Sequence, residues 1–213
     1  RKLEKLLGRL YHMRLFDPAC GSGNFLIISY KELCKLEIEI FRQLQIINLN
    51  KWKIARSGIR LNQFYGIEID DFAHEITILS LYLAEHQMNI FFKEIFGETR
   101  PTLPLQDSGN IICGNAIRLD WRSICSDCEE IQTFLLGNPP YIGSKNQEKS
   151  QKEDVEYVAN SIVGYGILDY VSCFFFKAAD YIAESAREIK CGFVSTSSIC
   201  QGEQVAVLWP YIL

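Results

Sequence analysis

Apolar residues along this chain form two kinds of pattern, short continuous runs and longer stretches with helical spacing. A first run at residues 14–18 leads into a glycine-rich turn at residues 19–23, and a helical pattern continues from about residue 24 to residue 45. Before them, four leucines at helical spacing predict a short amphipathic helix: Leu3, Leu6, Leu7 and Leu10. The N-terminal part is therefore predicted as helix, strand, glycine turn and helix.

The same alternation continues through the middle of the chain. A second apolar run at residues 64–69 ends in acidic residues, and Asp70 or Asp71 can cap the apolar helix that follows, which continues to about residue 95. Two further runs, at residues 110–113 and 133–136, predict a third and a fourth strand.

The last third combines a polar segment with strongly apolar ones. Residues 143–160 are polar and charged without a core-facing period, which predicts a mobile loop. Residues 166–185 predict an apolar helix, and residues 191–196 predict a fifth strand. Ser198 and Gln201 have the spacing of a capping box and predict the start of a last helix.

Continuously apolar strands that alternate with helices indicate a parallel sheet covered on both faces. The predicted fold class is therefore α/β, a doubly wound, mainly parallel sheet. In such sheets, ligands bind at the carboxyl ends of the strands, near the point where the strand order reverses. The residues directly after each strand are thus the first candidates for chemistry.

Composition and charge limit the function. A chain of 213 residues that is 48% apolar can bury one globular core, and it contains no charge-free apolar stretch of about 20 residues, so a soluble, intracellular protein is expected. A net charge of −4 argues against strong binding of nucleic acid by this chain alone. If nucleic acid is the partner, a basic region elsewhere must hold it.

The eight cysteines mostly lie inside apolar runs, so a disulfide framework is not expected. Cys125 and Cys128 form a CxxC pair, which could be half of a zinc site. The second pair with ligand spacing is missing from the sequence, so we favour loop cysteines and predict no metal.

The turn after the first strand is typical of a nucleotide-like cofactor site. Gly21 and Gly23 allow a tight turn and the close approach of a ligand, although similar short matches are also ordinary structural turns. The dinucleotide fingerprint needs a third glycine where Leu26 stands, which disfavours a pyrophosphate ligand.

Polar residues also follow the second and third strands. Glu68 can accept hydrogen bonds from two ribose hydroxyls, and Ile69 can cover an adenine face, whereas we interpret Asp70 as a helix cap. After the third strand, Asn115 and Ala116 could contact the edge of an adenine, although an asparagine there is also an ordinary turn residue.

The fourth strand ends in the most specific motif of the chain. Pro139 and Pro140 stiffen the backbone and leave carbonyl oxygens fixed in direction, Asn138 adds a neutral side-chain oxygen, and Tyr141 adds an aromatic face. Two fixed acceptors suit a conjugated amino group, because they hold its hydrogens and stabilise the positive charge that develops on nitrogen. The simpler alternative is a proline turn that only ends a strand.

In combination, these motifs resemble those of DNA amino-methyltransferases, most closely the large MmeI-like type IIG restriction-modification enzymes. The matching stretches span nearly the whole chain in order: FDPACGSGNFL (16–26), GIEID (66–70), GNAIRLDW (114–121), GNPPYIG (137–143), LDYVSCFFFKAADYI (168–182) and GFVSTSSICQGEQV (192–205). The resemblance implies a Rossmann-like fold that binds S-adenosylmethionine.

The resemblance also implies roles for single residues at the cofactor. The methionine end would be lined by Asp17, Ala19, Gly21 and Gly23. Glu68 would hold the ribose, Ile69 would pack on the adenine, and Asn115 with Ala116 would meet the adenine edge. Asn115 stands where the wider family often has an acidic residue. Asp169 would support the methionine side.

For the target, the resemblance implies methylation of the 6-amino group of an adenine. Asn138 and the Pro139 carbonyl would receive the amino hydrogens, Pro140 would lie near the transferable methyl group, and Tyr141 would stack on the base. The base must leave the duplex first, because its amino group is paired there. The predicted loop 143–160 could close over it.

Two expected features are missing from the sequence, an aromatic residue on a later strand pair and a downstream target-recognition domain. Residues 1–213 are thus predicted to be a partial methyltransferase domain, truncated at its C-terminus, of a longer enzyme that can also carry a restriction endonuclease domain. Double-stranded DNA would be held largely by regions outside this chain. The expected location is the cytoplasm of a prokaryotic cell, without a membrane association.

Three other functions fit part of this pattern. A methyltransferase for glutamine side chains of release factors, or for guanine in RNA, could use the same turn, because a side-chain amide presents the same two hydrogens. A non-catalytic module that only binds the cofactor would fit the acidic charge. A nicotinamide dehydrogenase would fit the fold, but the glycine spacing disfavours it.

Overall fold

The structure, a computed structural model, describes residues 1–47, 57–97, 110–126, 128, 130–185 and 188–212. Its strands are β1 (Met13–Asp17), β2 (Phe64–Glu68), β3 (Asn110–Cys113), β4 (Gln132–Gly137) and β5 (Lys190–Phe193). Its helices are α1 (Lys2–Tyr11), α2 (Asn24–Ile47), α3 (Asp71–Phe96), α4 (Trp121–Ile124), α5 (Lys149–Ala159), α6 (Val171–Ala183) and α7 (Gln204–Ile212). Short 3₁₀ turns lie at Leu61–Gln63, Tyr165–Ile167 and Ser197–Cys200.

The five strands form one parallel sheet in the order β3-β2-β1-β4-β5. The order reverses between β1 and β4, where Phe16 pairs with Tyr65 on one side and with Leu135 on the other. The predicted doubly wound α/β fold is confirmed. Its switch point lies where the glycine turn and the proline turn leave the sheet, the expected place for a ligand.

Helices cover both faces of the sheet. Neighbouring residues of a strand point to opposite sides, so apolar side chains on each side pack against helices. Leu15 packs in the cluster formed with α1, α2 and α3, whereas Phe16 packs in the cluster formed with α5, α6 and α7. Phe16 is fully buried, and its ring meets the edge of Trp121 at a centroid distance of 5.4 Å. Each face thus has its own core.

The long helix α3 begins and ends as its sequence predicts. The Asp70 side chain accepts a hydrogen bond from the Ala73 backbone at 2.7 Å, which confirms the predicted cap. At the other end, Gly97 adopts a left-handed conformation with φ of 79°. Among the described residues, no helix combines the length and apolar character that a membrane span requires.

The prediction of a mobile loop at residues 143–160 is wrong from residue 149 onwards, where the chain forms α5. The buried face of α5 consists of Asp154, Val155 and Ala159. One of these residues is charged and another is small, so the sequence of this segment shows no continuous series of apolar residues at helical spacing. The helix begins with a capping box between Glu148 and Gln151, which satisfies its first backbone donors.

Three boundaries in the last third also differ from the prediction. The helix predicted from residue 166 begins only at Val171, because Leu168 is extended after a 3₁₀ turn. Ser198 lies in a 3₁₀ turn, and α7 starts after Gly202, whose φ of 66° interrupts a continuous helix. Strand β5 ends at Phe193, earlier than the predicted residue 196.

Candidate active site

The glycine turn after β1 and the proline turn after β4 meet at the switch point. Gly137, the last residue of β4, lies so close to Asp17 that a Cβ atom on residue 137 would collide with the Asp17 carboxylate. The turn Asn138–Tyr141 therefore starts directly beside the end of β1. The two motifs that the sequence separates by more than a hundred residues form one site.

A cavity of about 530 Å³ opens beside this junction, a volume typical of small-ligand sites. Its wall includes many of the residues predicted from the sequence: Ala19, Glu68, Ile69, Asn115, Ala116, Asn138 and Pro140. The other predicted residues do not line this cavity: Asp17, Gly21, Gly23, Pro139, Tyr141 and Asp169. Asp17 and Pro139 are buried, whereas Tyr141 is 51% exposed.

The glycine turn is fixed against helix α3. Gly21 and Gly23 have φ values of 56° and 80°, which a residue with a side chain rarely adopts. The Thr77 hydroxyl donates to the Gly21 carbonyl at 2.6 Å, and a Cβ on residue 23 would lie 2.8 Å from the Thr77 methyl carbon. Backbone conformation therefore favours glycine at both positions, and space requires it at residue 23 as well.

Glu68 is held ready for a ligand by two backbone donors. The Gly21 amide donates to its Oε2 at 2.8 Å, and the Asp70 amide donates to its Oε1 at 2.9 Å. A carboxylate offers about four acceptor positions, so about two remain free. Glu68 also lies on the cavity wall next to Ile69, which is 67% exposed. This arrangement suits a pair of ribose hydroxyls.

Asp17 is an almost fully buried acid with an incomplete set of partners. Its Oδ1 accepts a hydrogen bond from the Ala19 amide at 3.0 Å, whereas its buried Oδ2 has no partner within the described part of the chain. Burial, reinforced by the nearby charge of Glu68 and opposed by the Ala19 hydrogen bond, raises the pKa of Asp17 from 3.8 to about 7. A cationic ligand group would complete this environment.

The raised pKa of Asp17 predicts a pH dependence of folding stability. Because the folded chain keeps the proton more tightly, its stabilising contribution is complete below about pH 4 and is lost as the pH rises to about 7. We expect a loss of roughly 4 kcal/mol from this group across that window, and a smaller loss in Asp17→Asn. Urea unfolding of both proteins at pH 4 and pH 8 measures the difference. An identical pH dependence in the two proteins would contradict the assignment.

The far side of the cavity contains a buried network that the sequence patterns do not indicate. The Asp154 carboxylate of α5 accepts three hydrogen bonds. The donors are the side-chain amide of Asn115 at 2.9 Å, the guanidinium of Arg118 at 2.6 Å and the hydroxyl of Tyr170 at 2.8 Å. Burial and the Asp154 contact raise the pKa of Tyr170, so this hydroxyl stays protonated and donates. The network attaches α5 to the segment that follows β3 and to the residue that precedes α6, and it makes α5 a cavity wall.

Removing the Asp154 carboxylate should therefore loosen α5. We expect Asp154→Ala to lower the free energy of unfolding by about 3 kcal/mol, because the Arg118 charge and two polar groups lose their buried acceptor. Glu156→Ala on the exposed side of the same helix is the matched control and should change stability by less than about 0.5 kcal/mol. Equal urea midpoints for the two variants would refute this role.

Two aromatic residues of the cavity wall also lie outside the predicted set. Tyr170 and Phe174 line the cavity from the α6 side, within the apolar helical stretch where a core role is the usual interpretation. Asp169, predicted at the methionine side, is buried, and its carboxylate accepts from the Ile142 and Val171 amides at 2.9 and 3.2 Å. Its observed contacts support the segment that follows the proline turn.

Fold and site together define the class of the protein. A parallel sheet with its switch point between β1 and β4, a left-handed glycine turn, and an acid at the end of β2 form a Rossmann-like methyltransferase fold. The model of the MmeI DNA-methyltransferase domain family matches residues 1–213. The chain therefore belongs to this family.

Individual relatives agree with this assignment. DNA methyltransferase A of Bacillus subtilis (strain 168) is 48% identical over 209 residues, which cover 98% of this chain and 23% of the relative. The solved structure of the type IIL restriction-modification enzyme MmeI in complex with DNA is 40% identical, with a TM-score of 0.87 over 99% of this chain and 28% of that one. The chain thus spans about a quarter of the length of these relatives.

More distant structures share the fold. A nuclease-deletion mutant of the type ISP restriction-modification enzyme LlaGI, solved with a DNA substrate mimic, superposes with a TM-score of 0.52 over 92% of this chain and 16% of that one. At 17% identity this likeness concerns the arrangement of the sheet and helices alone.

Proposed function

We propose that this chain is the catalytic domain of an S-adenosylmethionine-dependent DNA methyltransferase that modifies the 6-amino group of adenine. The observation that carries the proposal is the position of Asn138 and Pro140 on the wall of the cavity that Glu68 and Ile69 also line. An acceptor turn for an amine and an acid for a ribose thus share one cavity.

The residues present fit this cofactor. Glu68 keeps about two acceptor positions for the ribose hydroxyls, and the exposed Ile69 offers an apolar surface for adenine. The unpartnered Oδ2 of Asp17 suits the positively charged methionine end beside Ala19 and the glycine turn. When bound, S-adenosylmethionine supplies an electrophilic methyl group on a sulfonium.

The acceptor turn prepares the amine for transfer. The Asn138 side-chain oxygen and the Pro139 carbonyl accept the two amino hydrogens, which favours a pyramidal nitrogen whose lone pair points at the methyl carbon. The cofactor, held by Glu68, Ile69 and Asp17, would supply the methyl group for the new nitrogen–carbon bond, and the electron pair of the broken carbon–sulfur bond would leave with sulfur. The nitrogen, now positively charged, then loses a proton to solvent. Tyr141, which is 51% exposed, is available to stack on the base.

Duplex DNA is the proposed partner, with the target adenine turned out of the helix. The MmeI structure in complex with DNA supports this partner. A net charge of −4 leaves most phosphate contacts to other parts of the protein, and a restriction endonuclease in the same polypeptide fits the restriction-modification relatives. We place the enzyme in the cytoplasm, where DNA and cofactor meet.

A competition for labelled methyl groups tests the substrate class. The full product of the gene is incubated with tritiated S-adenosylmethionine and equal amounts of duplex DNA, a release factor and ribosomal RNA. We expect label in the DNA alone. Label confined to protein or RNA would assign the same turn to a glutamine or a guanine, and no label in any of them would favour a module that only binds the cofactor.

A further inference from the structure

Ile142, the residue directly after the proline turn, has both of its backbone groups bound. Its amide donates to the Asp169 carboxylate at 2.9 Å. Its carbonyl accepts from the Tyr170 amide at 2.9 Å and from the Gln147 side chain at 3.0 Å. The chain is therefore fixed on both sides at the point where it leaves the turn.

Gln147 contributes a contact that few other side chains could make. It is 7% exposed, and its amide nitrogen donates to two carbonyls, those of Ile142 and Leu168, both at 3.0 Å. Each of these contacts uses one of the two hydrogens that a glutamine amide carries. The side chain thus joins the exit of the turn to the segment that leads into α6.

Asp169 fixes the other side of the same residue. Its Oδ1 accepts from both Ile142 and Val171, and its own amide donates to the Gln204 side chain of α7 at 2.9 Å. Helix α7 therefore supports Asp169, which in turn supports the exit of the turn. At the entrance, the Gly137 carbonyl is held by the Val194 amide at 2.9 Å.

We propose that Gln147 and Asp169 are positioning residues that hold the acceptor oxygens of the turn Asn138–Tyr141 in their reactive direction. This inference rests on the proposed function. Four residues fixed at both ends, with two prolines between, have little freedom to rotate. Since a misplacement of about 1 Å at a reacting group can cost about 100-fold in rate, release of the exit should slow methyl transfer.

The chain contains a matched control for this role. Gln63 is 8% exposed and also bridges two carbonyls, those of Leu10 and Met13, at 2.9 and 3.0 Å. Gln63 precedes β2 and therefore lies at the opposite edge of the sheet from the cavity. The same substitution at Gln63 and Gln147 disturbs an equivalent buried bridge, and only one of the two bridges supports the turn.

The experiment compares Gln147→Glu with Gln63→Glu in the full product of the gene. A carboxylate repels the two carbonyls that the amide binds, so both variants should have a similarly lowered melting temperature. We expect kcat for methyl transfer to fall roughly 10- to 100-fold in Gln147→Glu, with KM for the cofactor within about threefold of wild type, and to stay within about twofold in Gln63→Glu. If a glutamate variant does not fold, leucine at both positions makes the same comparison.

Asp169 provides the second arm. Asp169→Asn keeps an oxygen at Oδ1 and should retain most of kcat. In Asp169→Ala, kcat should fall to the same extent as in Gln147→Glu. An equal loss of kcat at Gln63 and Gln147, or a loss seen only in KM for the cofactor, would overturn the inference while leaving the proposed function intact. Failure of the wild-type enzyme to methylate DNA would instead overturn the proposed function, and this inference with it.

Discussion

Asn138→Ala is expected to lower kcat for methyl transfer by about 10²- to 10³-fold while cofactor affinity changes less than about threefold. A fall in kcat of this size is typical when one preorganised hydrogen-bonding group that stabilises a developing charge is removed. Cofactor affinity should change little because Glu68 and Asp17 are placed to hold the cofactor, whereas the turn is placed to hold the target amine. Single-turnover kinetics and calorimetry with S-adenosylhomocysteine measure the two quantities.

The control for this variant is an asparagine away from the cavity. Asn62 is exposed and precedes β2, at the opposite edge of the sheet, and Asn62→Ala should leave kcat within about twofold of wild type. An Asn138→Ala enzyme with wild-type kcat would remove the side-chain oxygen from the reaction. A parallel loss of cofactor affinity and kcat would make Asn138 a part of the cofactor site.

The second large effect is expected at Glu68. Glu68→Ala removes a carboxylate that can accept from two ribose hydroxyls, and it leaves the Gly21 amide without its acceptor. Each hydrogen bond to a charged group contributes about 1.5–3 kcal/mol, so we expect cofactor affinity to fall by roughly 100-fold. Calorimetry on the 213-residue chain tests this expectation without any assay of activity.

An exposed acid nearby serves as the comparison for Glu68. Glu75 lies in the first turns of α3 and is 69% exposed, so Glu75→Ala should change cofactor affinity less than about twofold. Glu68→Gln should fall between the two variants, because an amide oxygen still accepts but carries no charge. Unchanged affinity in Glu68→Ala would exclude the ribose contact.

The sheet and the central part of the site were predictable because short-range patterns determine them. The apolar runs that became β1 and β2 contain consecutive buried residues, as continuously apolar strands of a parallel sheet do, whereas β4 alternates between buried and partly exposed residues within an apolar run. Parallel strands bring their carboxyl ends to one edge, which places the glycine turn, Glu68 and Asn138 together. The strand order β3-β2-β1-β4-β5 was not predicted, because the apolar pattern does not show which strands are neighbours.

Helix α5 was not predictable from apolar periodicity, because Asp154 occupies the centre of its buried face. The three donors that allow this burial come from Asn115, Arg118 and Tyr170, which are separated in the sequence by up to about fifty residues. A search for polar residues at helical spacing, together with the capping box at Glu148, would have indicated the helix.

The contacts that support the proline turn were also not predictable from the sequence. Gln147 lies in a polar stretch, and nothing local shows that its amide is buried between two carbonyls. Asp169 was predicted at the cofactor through the resemblance, yet its carboxylate holds the amides of Ile142 and Val171. Such contacts depend on how α5, α6 and α7 pack, which is a tertiary property.

Mass spectrometry of the methylated DNA identifies the atom that receives the methyl group. Duplex DNA is incubated with the full gene product and cofactor carrying a CD₃ group, digested to nucleosides and analysed by mass spectrometry. We expect deuterated N6-methyldeoxyadenosine with the wild-type enzyme and a loss of this product with Asn138→Ala. Deuterium on C5 of cytosine, or label on adenine that persists undiminished in Asn138→Ala, would contradict transfer to an adenine amine held by Asn138.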